Sequence, residues 1–287
     1  MIKRIHLFRS ILNYTLIFTF TVVGLLFYGC EKVKDDGNGG GSGEFPKQVT
    51  VFGVKVLGSE KISESKVLHA AKILAQYLDN DEDGNVDNPI VTEKLVSVGA
   101  TIVMFENESD ADNSNYNMPA HDHIQDLYGE ETIPSFNKNG INNRFDASLE
   151  EVLHLVTHEG FSVIYPHALG EKKGSDLANA MDAARGGYFE NIPSNYPDGA
   201  WYTYQDESCE YDCMVTEYFY WSLTTFLGAQ SYSGRKVEIQ HEWKYNIPEL
   251  LKANDPTVYE IMRKRPELNL PRVLPDAIYN GFEINLD

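Results

Sequence analysis

Val49-Thr-Val-Phe-Gly-Val-Lys-Val-Leu57 carries β-branched residues in alternation, the period of a strand with one buried face, and reads as a single strand. The segments after it decide the fold class. From Ser63 to Leu78, apolar residues recur at Val67, Leu68, Ala71, Leu74, Ala75 and Leu78, a helical stripe. Pro89 suits the first turn of a second helix through Leu95. Ala100-Thr-Ile-Val-Met-Phe105 has the length and composition of a buried strand. Asn107 to Asn143 is polar with little period and reads as a long loop with short elements. Asp146 to Gly160 is a helix, with a Ser148/Glu151 capping box and a glycine stop. The stretch from Gly186 to Asp212 is aromatic and loop-like. Met214 to Leu227 is a strongly apolar helix. Val237 to Leu251 is helical and broken near Pro248, and Asp255 to Arg263 is a short helix. Few strands, several helices and no internal repeat predict an α+β fold, one domain over 46–287, mainly helical with a small sheet.

The 287 residues carry 24 Lys+Arg against 43 Asp+Glu, a formal charge of −19. That balance argues against non-specific binding to nucleic acid, which needs a basic face, and suits cation binding. Three cysteines exclude a disulfide-dense scaffold.

Residues 1–29 have a basic start, an apolar run from Ile11 to Tyr28 and a small residue before a break, the build of a secretory leader. The stop at Gly29-Cys30 resembles a bacterial lipoprotein signal, which implies acylation of Cys30, a membrane anchor through it, and export to the outer membrane or cell surface. Phe27 and Tyr28 are bulkier than that motif usually takes, and an uncleaved anchor is the rival reading. Residues 30–45, with EKVKDDGNGGGSG, read as a flexible acidic and Gly-rich tether. In an oxidising compartment Cys209 and Cys213 are expected to pair as a local disulfide.

Asp79-Asn-Asp81-Glu-Asp83-Gly84-Asn85-Val86-Asp87 places alternate acids around a tight turn. The loop 79–90 resembles an EF-hand or related D-x-D-x-D-G calcium loop, entered and left by helices. The resemblance implies calcium held by Asp79, Asp81, Asp83, Asn85 and Asp87. It departs from the family at Ile90, where a bidentate Glu would stand, so Asp87 or Glu93 would have to replace it. The bland alternative is a solvated acidic turn.

The helix 146–160 carries Glu150, Glu151, His154 and His158. At about 100° per residue, His154, His158 and Glu151 lie about 40°, 80° and 100° from Glu150, on one face, with Glu159 pointing away. Two histidines at i and i+4 can chelate one metal. The segment resembles a zincin helix without being H-E-x-x-H. A later helix supplies Glu217, the one acid in an apolar run, as in the Glu-zincin arrangement. The resemblance implies zinc held by His154, His158 and Glu217, with Glu151 or Glu150 as general base, in a zinc-dependent hydrolase acting on a peptide or protein substrate. The alternatives are a metal-free polar helix with Glu217 paired to Arg185 or Arg235, and a non-catalytic calcium-binding surface lipoprotein that binds a protein or glycan. A di-iron reading of Glu151-x-x-His154 with Glu238-x-x-His241 lacks the further carboxylates at matching depth.

Overall fold

A computed structural model describes residues 42–140 and 144–287. The leader, Cys30 and most of the tether lie outside the described residues. Among the described residues, no helix is long and apolar enough to cross a membrane.

The first expected strand is in fact a hairpin. Strands β1 (Lys47–Val51) and β2 (Val54–Gly58) pair antiparallel, with Val51 opposite Val54. The two residues between them, Phe52 and Gly53, take φ of 48° and 87°, which makes the two-residue turn that matches strand twist. Gly53 meets no steric penalty there, and the buried valines shift from odd to even positions across the turn, Val49 and Val51 before it and Val54 and Val56 after it, so that both strands keep one face in. β3 (Thr101–Phe105) lies parallel to β2, and β4 (Ile124–Tyr128) parallel to β3, giving a four-stranded sheet in the order β1-β2-β3-β4. β4 falls inside the stretch expected to be loop. Its polar residues Gln125 and Asp126 hide a period-two pattern, since an edge strand needs only one apolar face.

β3 is buried along its whole length because both faces of the sheet are covered. Val54, Val56, Ile102 and Met104 face the main core, whereas Leu57, Val103 and Phe105 pack with Phe45 in a small second core. Helices α1 (Glu64–Leu78) and α2 (Pro89–Val98) connect β2 to β3 and form the layer on the main-core side. α3 (Ser148–Val156) packs beside α1 against β4, and behind this layer stand α4 (Asp176–Arg185), α5 (Tyr211–Phe226) and α6 (Pro256–Lys264). The mixed architecture is α+β. Instead of one broken helix over 237–251, there are two short ones, Arg235–Ile239 and Pro248–Asn254.

α5 is buried on nearly every side, as its all-round apolar sequence requires of a central helix. Tyr218, Phe219 and Tyr220 have no measurable exposure, and each such side chain contributes on the order of 1.5–3 kcal/mol. Cys209 and Cys213 form a disulfide at its N-terminal end, with Cα atoms 5.4 Å apart.

The Ser148/Glu151 capping box is not formed. Ala147 occupies the cap position, without a side-chain bond. Asp146 anchors the helix start instead, its Oδ1 accepting from the backbone N–H of Ile133 and Ser148 while Oδ2 meets His69 Nε2 at 2.6 Å. Tyr77 of α1 donates to the Leu149 carbonyl at 2.7 Å. These bonds fix the start of α3, and they let Glu151 turn inward. The expected helix also changes form after Val156, because residues Thr157–Phe161 make a π-turn.

Candidate metal centres

The α3 site is built from segments distant in sequence. Glu150, His154 and Glu217 each offer one ligand atom, and these atoms lie within 4.8 Å of one another. His154 is 1% exposed and Glu217 2%. Nε2 of His154 faces Glu217 Oε2 at 3.7 Å, and Tyr204 donates to Glu217 Oε1 at 3.2 Å. Two donors on one tetrahedral ion with bonds of about 2.0–2.2 Å stand roughly 3.3–3.6 Å apart, so the spacing is close to that of an ion-bridged pair. The ring of Tyr220 stands edge-on to His154, 5.6 Å between centroids.

Burial shifts every acid of this cluster toward its protonated form. Burial pushes Glu150 up to about 8, with Glu242 and Glu131 adding repulsion against a Tyr220 hydrogen bond and the Arg235 charge. Burial also holds Glu151 and Glu217 well above the carboxylate range, and the neighbouring Glu150 raises both further. Burial brings Glu242 to about 7. His154 is driven down to about 3, by burial first and then by His158, which keeps it in the neutral form that ligates metals. Carboxylates buried together lose water and repel one another, and a bound ion would relieve both costs.

His158 does not join this group. Its Nδ1 is hydrogen-bonded to Glu171 Oε2 at 2.6 Å, and Glu171 Oε1 accepts from Thr216 at 2.6 Å. The ring is 53% exposed, and the Glu171 bond raises its pKa to about 9. An imidazolium holding its proton with a buried carboxylate is the opposite of a ready ligand. Where the i, i+4 spacing predicts a His154–His158 pair, the structure brings Glu150, His154 and Glu217 together instead. Glu159, expected to point away, accepts from His123 Nδ1 at 2.6 Å. His158-Glu159-Gly-Phe-Ser162 does match H-E-x-x-H up to its last position, where Ser162 donates to the His158 carbonyl at 2.7 Å and cannot chelate. Arg185 and Arg235, the alternative partners for Glu217, bond to Asp182 and to Gln230 and Glu238 respectively.

The second site is local. Asp79, Asp81 and Asp87 bring carboxylate oxygens within 4.8 Å of one another in the turn between α1 and α2. Asp79 is fully buried and accepts from the N–H of Asp83 and Gly84. Asp87 Oδ2 accepts from Asn80 N at 2.7 Å. Gly84 takes φ 88°, the bend the motif needs. Asp83 is not in the triad: its Oδ1 accepts from both nitrogens of Asn85. Ile90 is 58% exposed, and Asp87 rather than Glu93 closes the loop. Burial raises the Asp87 pKa, with Asp81, Asp79 and Asp83 adding to it.

Several participants carry no sequence signal. Gln125 sits in the unexpected strand, Glu242 in an ordinary polar stretch and Tyr204 among many aromatics. Tyr279, in the C-terminal tail, donates to Asp79 Oδ2. Compared with known proteins, the chain matches no family model, no curated sequence and no solved structure.

Proposed function

We propose that this chain is an exported, lipid-anchored metalloprotein. Glu150, His154 and Glu217 hold a divalent transition ion, zinc in the first instance, and the Asp79–Asp87 loop holds calcium. The observation that carries the reading is the approach of Glu217, from α5, to the neutral imidazole of His154 beside Glu150. An apolar helix would otherwise bury an acid against two more acids at a cost of several kcal/mol. The ion would join α3 to α5, and calcium would join α1 to α2 and to the tail. The leader ending at Gly29-Cys30 supports export and anchoring at the outer membrane or cell surface, where millimolar calcium would fill even a weak site.

Hydrolysis, with a peptide substrate and a zincin-like arrangement, is the second reading. It is favoured by a set of three protein ligands, which leaves a coordination position for water, and by Glu150, which is only half-buried. The near-complete burial of His154 and Glu217 favours the structural role for the ion. Metal content of the purified chain by mass spectrometry, beside His154→Ala, tests the ion. One equivalent of zinc in the wild type and none in the variant supports it, and no transition metal in either rejects it. Cleavage of a peptide library by the zinc-loaded protein and not by the variant would promote the hydrolase reading.

A further inference from the structure

We propose that Glu151 is the positioning residue for His154, held in that role by Gln125, and not a general base; the inference rests on the ion-binding reading of Glu150, His154 and Glu217. A single oxygen of Glu151, Oε2, meets Gln125 Nε2 at 2.7 Å and His154 Nδ1 at 3.2 Å. All three side chains are buried: Gln125 at 4%, Glu151 at 6% and His154 at 1%. Glu151 and His154, three apart on α3, are neighbours on one helix face. That spacing alone leaves the carboxylate several rotamers. Gln125 reaches across from β4 and selects the one that anchors Nδ1. With Nδ1 anchored, the ring directs Nε2 at Glu217 Oε2, 3.7 Å away.

The chemistry suits an orienting group. A metal-ligating imidazole needs its other nitrogen bonded to a carboxylate or carbonyl to fix the ring and its tautomer. An amide is a fitting outer partner, because it adds a donor without adding a positive charge that would repel the incoming ion. A base, by contrast, needs an oxygen open to water and substrate. Oε2 is already engaged by two side chains, and the residue is closed in.

The test uses the purified full chain and Zn²⁺, competed against a chromophoric chelator, with the absorption of the Co²⁺ form as a second reading of ligand geometry. Glu151→Ala is expected to weaken zinc binding by about 10–100-fold and to shift the cobalt bands. Glu151→Gln keeps an oxygen able to accept from Nδ1 and is expected to recover part of the loss, whereas Gln125→Leu should weaken binding with Glu151 intact. If Glu151→Ala does not fold, the other two variants decide. Wild-type affinity together with an unchanged cobalt spectrum in the folded variants overturns the inference and leaves the ion reading standing. A wild-type chain that takes up neither zinc nor cobalt overturns the ion reading and this inference with it.

Discussion

Asp79 and Glu217 are both carboxylates with almost no exposed surface, yet they are held in opposite ways. Asp79 sits in a turn whose own backbone folds around it, so two N–H groups and the Tyr279 hydroxyl converge on its oxygens. Glu217 projects from the middle of an apolar helix, where the backbone is already bonded to itself. It receives the Tyr204 hydroxyl and otherwise faces His154 and further acids. A turn can solvate a carboxylate with main chain, whereas a helix interior cannot. The loop therefore tolerates an empty state, and the α3–α5 cluster needs either protons or a metal.

The sharpest break of that comparison is metal removal at each site. Glu217→Ala should abolish transition-metal uptake, a loss of roughly 100-fold or more in affinity, while calcium binding is unchanged; titration of both ions by calorimetry checks it. Loss of calcium from the same variant would show the sites to be one unit.

Calcium removal should come next in size. With the ion at about 100 times its dissociation constant, binding adds about 2.7 kcal/mol, so chelation should lower the melting temperature by roughly 5–10 °C in a chain of this length. Asp79→Ala should lower it similarly and make it insensitive to calcium. Tyr279→Phe removes one hydrogen bond, about 1 kcal/mol, and should weaken calcium several-fold without touching zinc.

Two pH profiles sharpen the contrast further. Glu150 takes up a proton on folding, because its folded pKa of about 8 exceeds the ordinary value of 4.5. Its contribution is fully present below about pH 4.5 and is lost as pH rises through about 8. Metal-free wild type should therefore soften across that window, and Glu150→Gln should flatten the profile. Saturating zinc should flatten it too, by replacing the protons. The smallest effect belongs to the exposed His158. Its folded pKa of about 9 exceeds its ordinary 6.5, so the pairing with Glu171 stabilises below about pH 6.5 and fades as pH rises through 9. His158→Ala should cost a little stability at about pH 6, nothing at about pH 10, and leave zinc uptake intact, which thermal melts and metal analysis would show.

The same physics explains how far each region was legible. The acidic loop was readable because its ligands lie within nine residues and Gly84 marks the bend, although Glu82 shares the left-handed backbone with it. Even there, which acids converge was not: Asp83 turned to the Asn85 nitrogens, and a tail 200 residues away supplied Tyr279. On α3, periodicity placed Glu150, Glu151 and His154 together, but it carried His158 along too. A regular helix knows nothing of the π-turn at Thr157–Phe161 or of Glu171 waiting outside it.

The α+β class, the helices α1, α2, α3, α5 and α6, and the acidic turn could all be read from residue order, because each is written in a period or a turn residue within a short window. Residue order also singled out Glu217, since an acid within an apolar helix is conspicuous without any partner. The pairing of β1 and β2 as a hairpin, the place of Ile124–Tyr128 at the sheet edge, and the line of Gln125, Glu151 and His154 toward Glu217 emerge only from long-range packing. Those outcomes depend on which distant side chains compete for one buried polar atom, and that competition has no period to read.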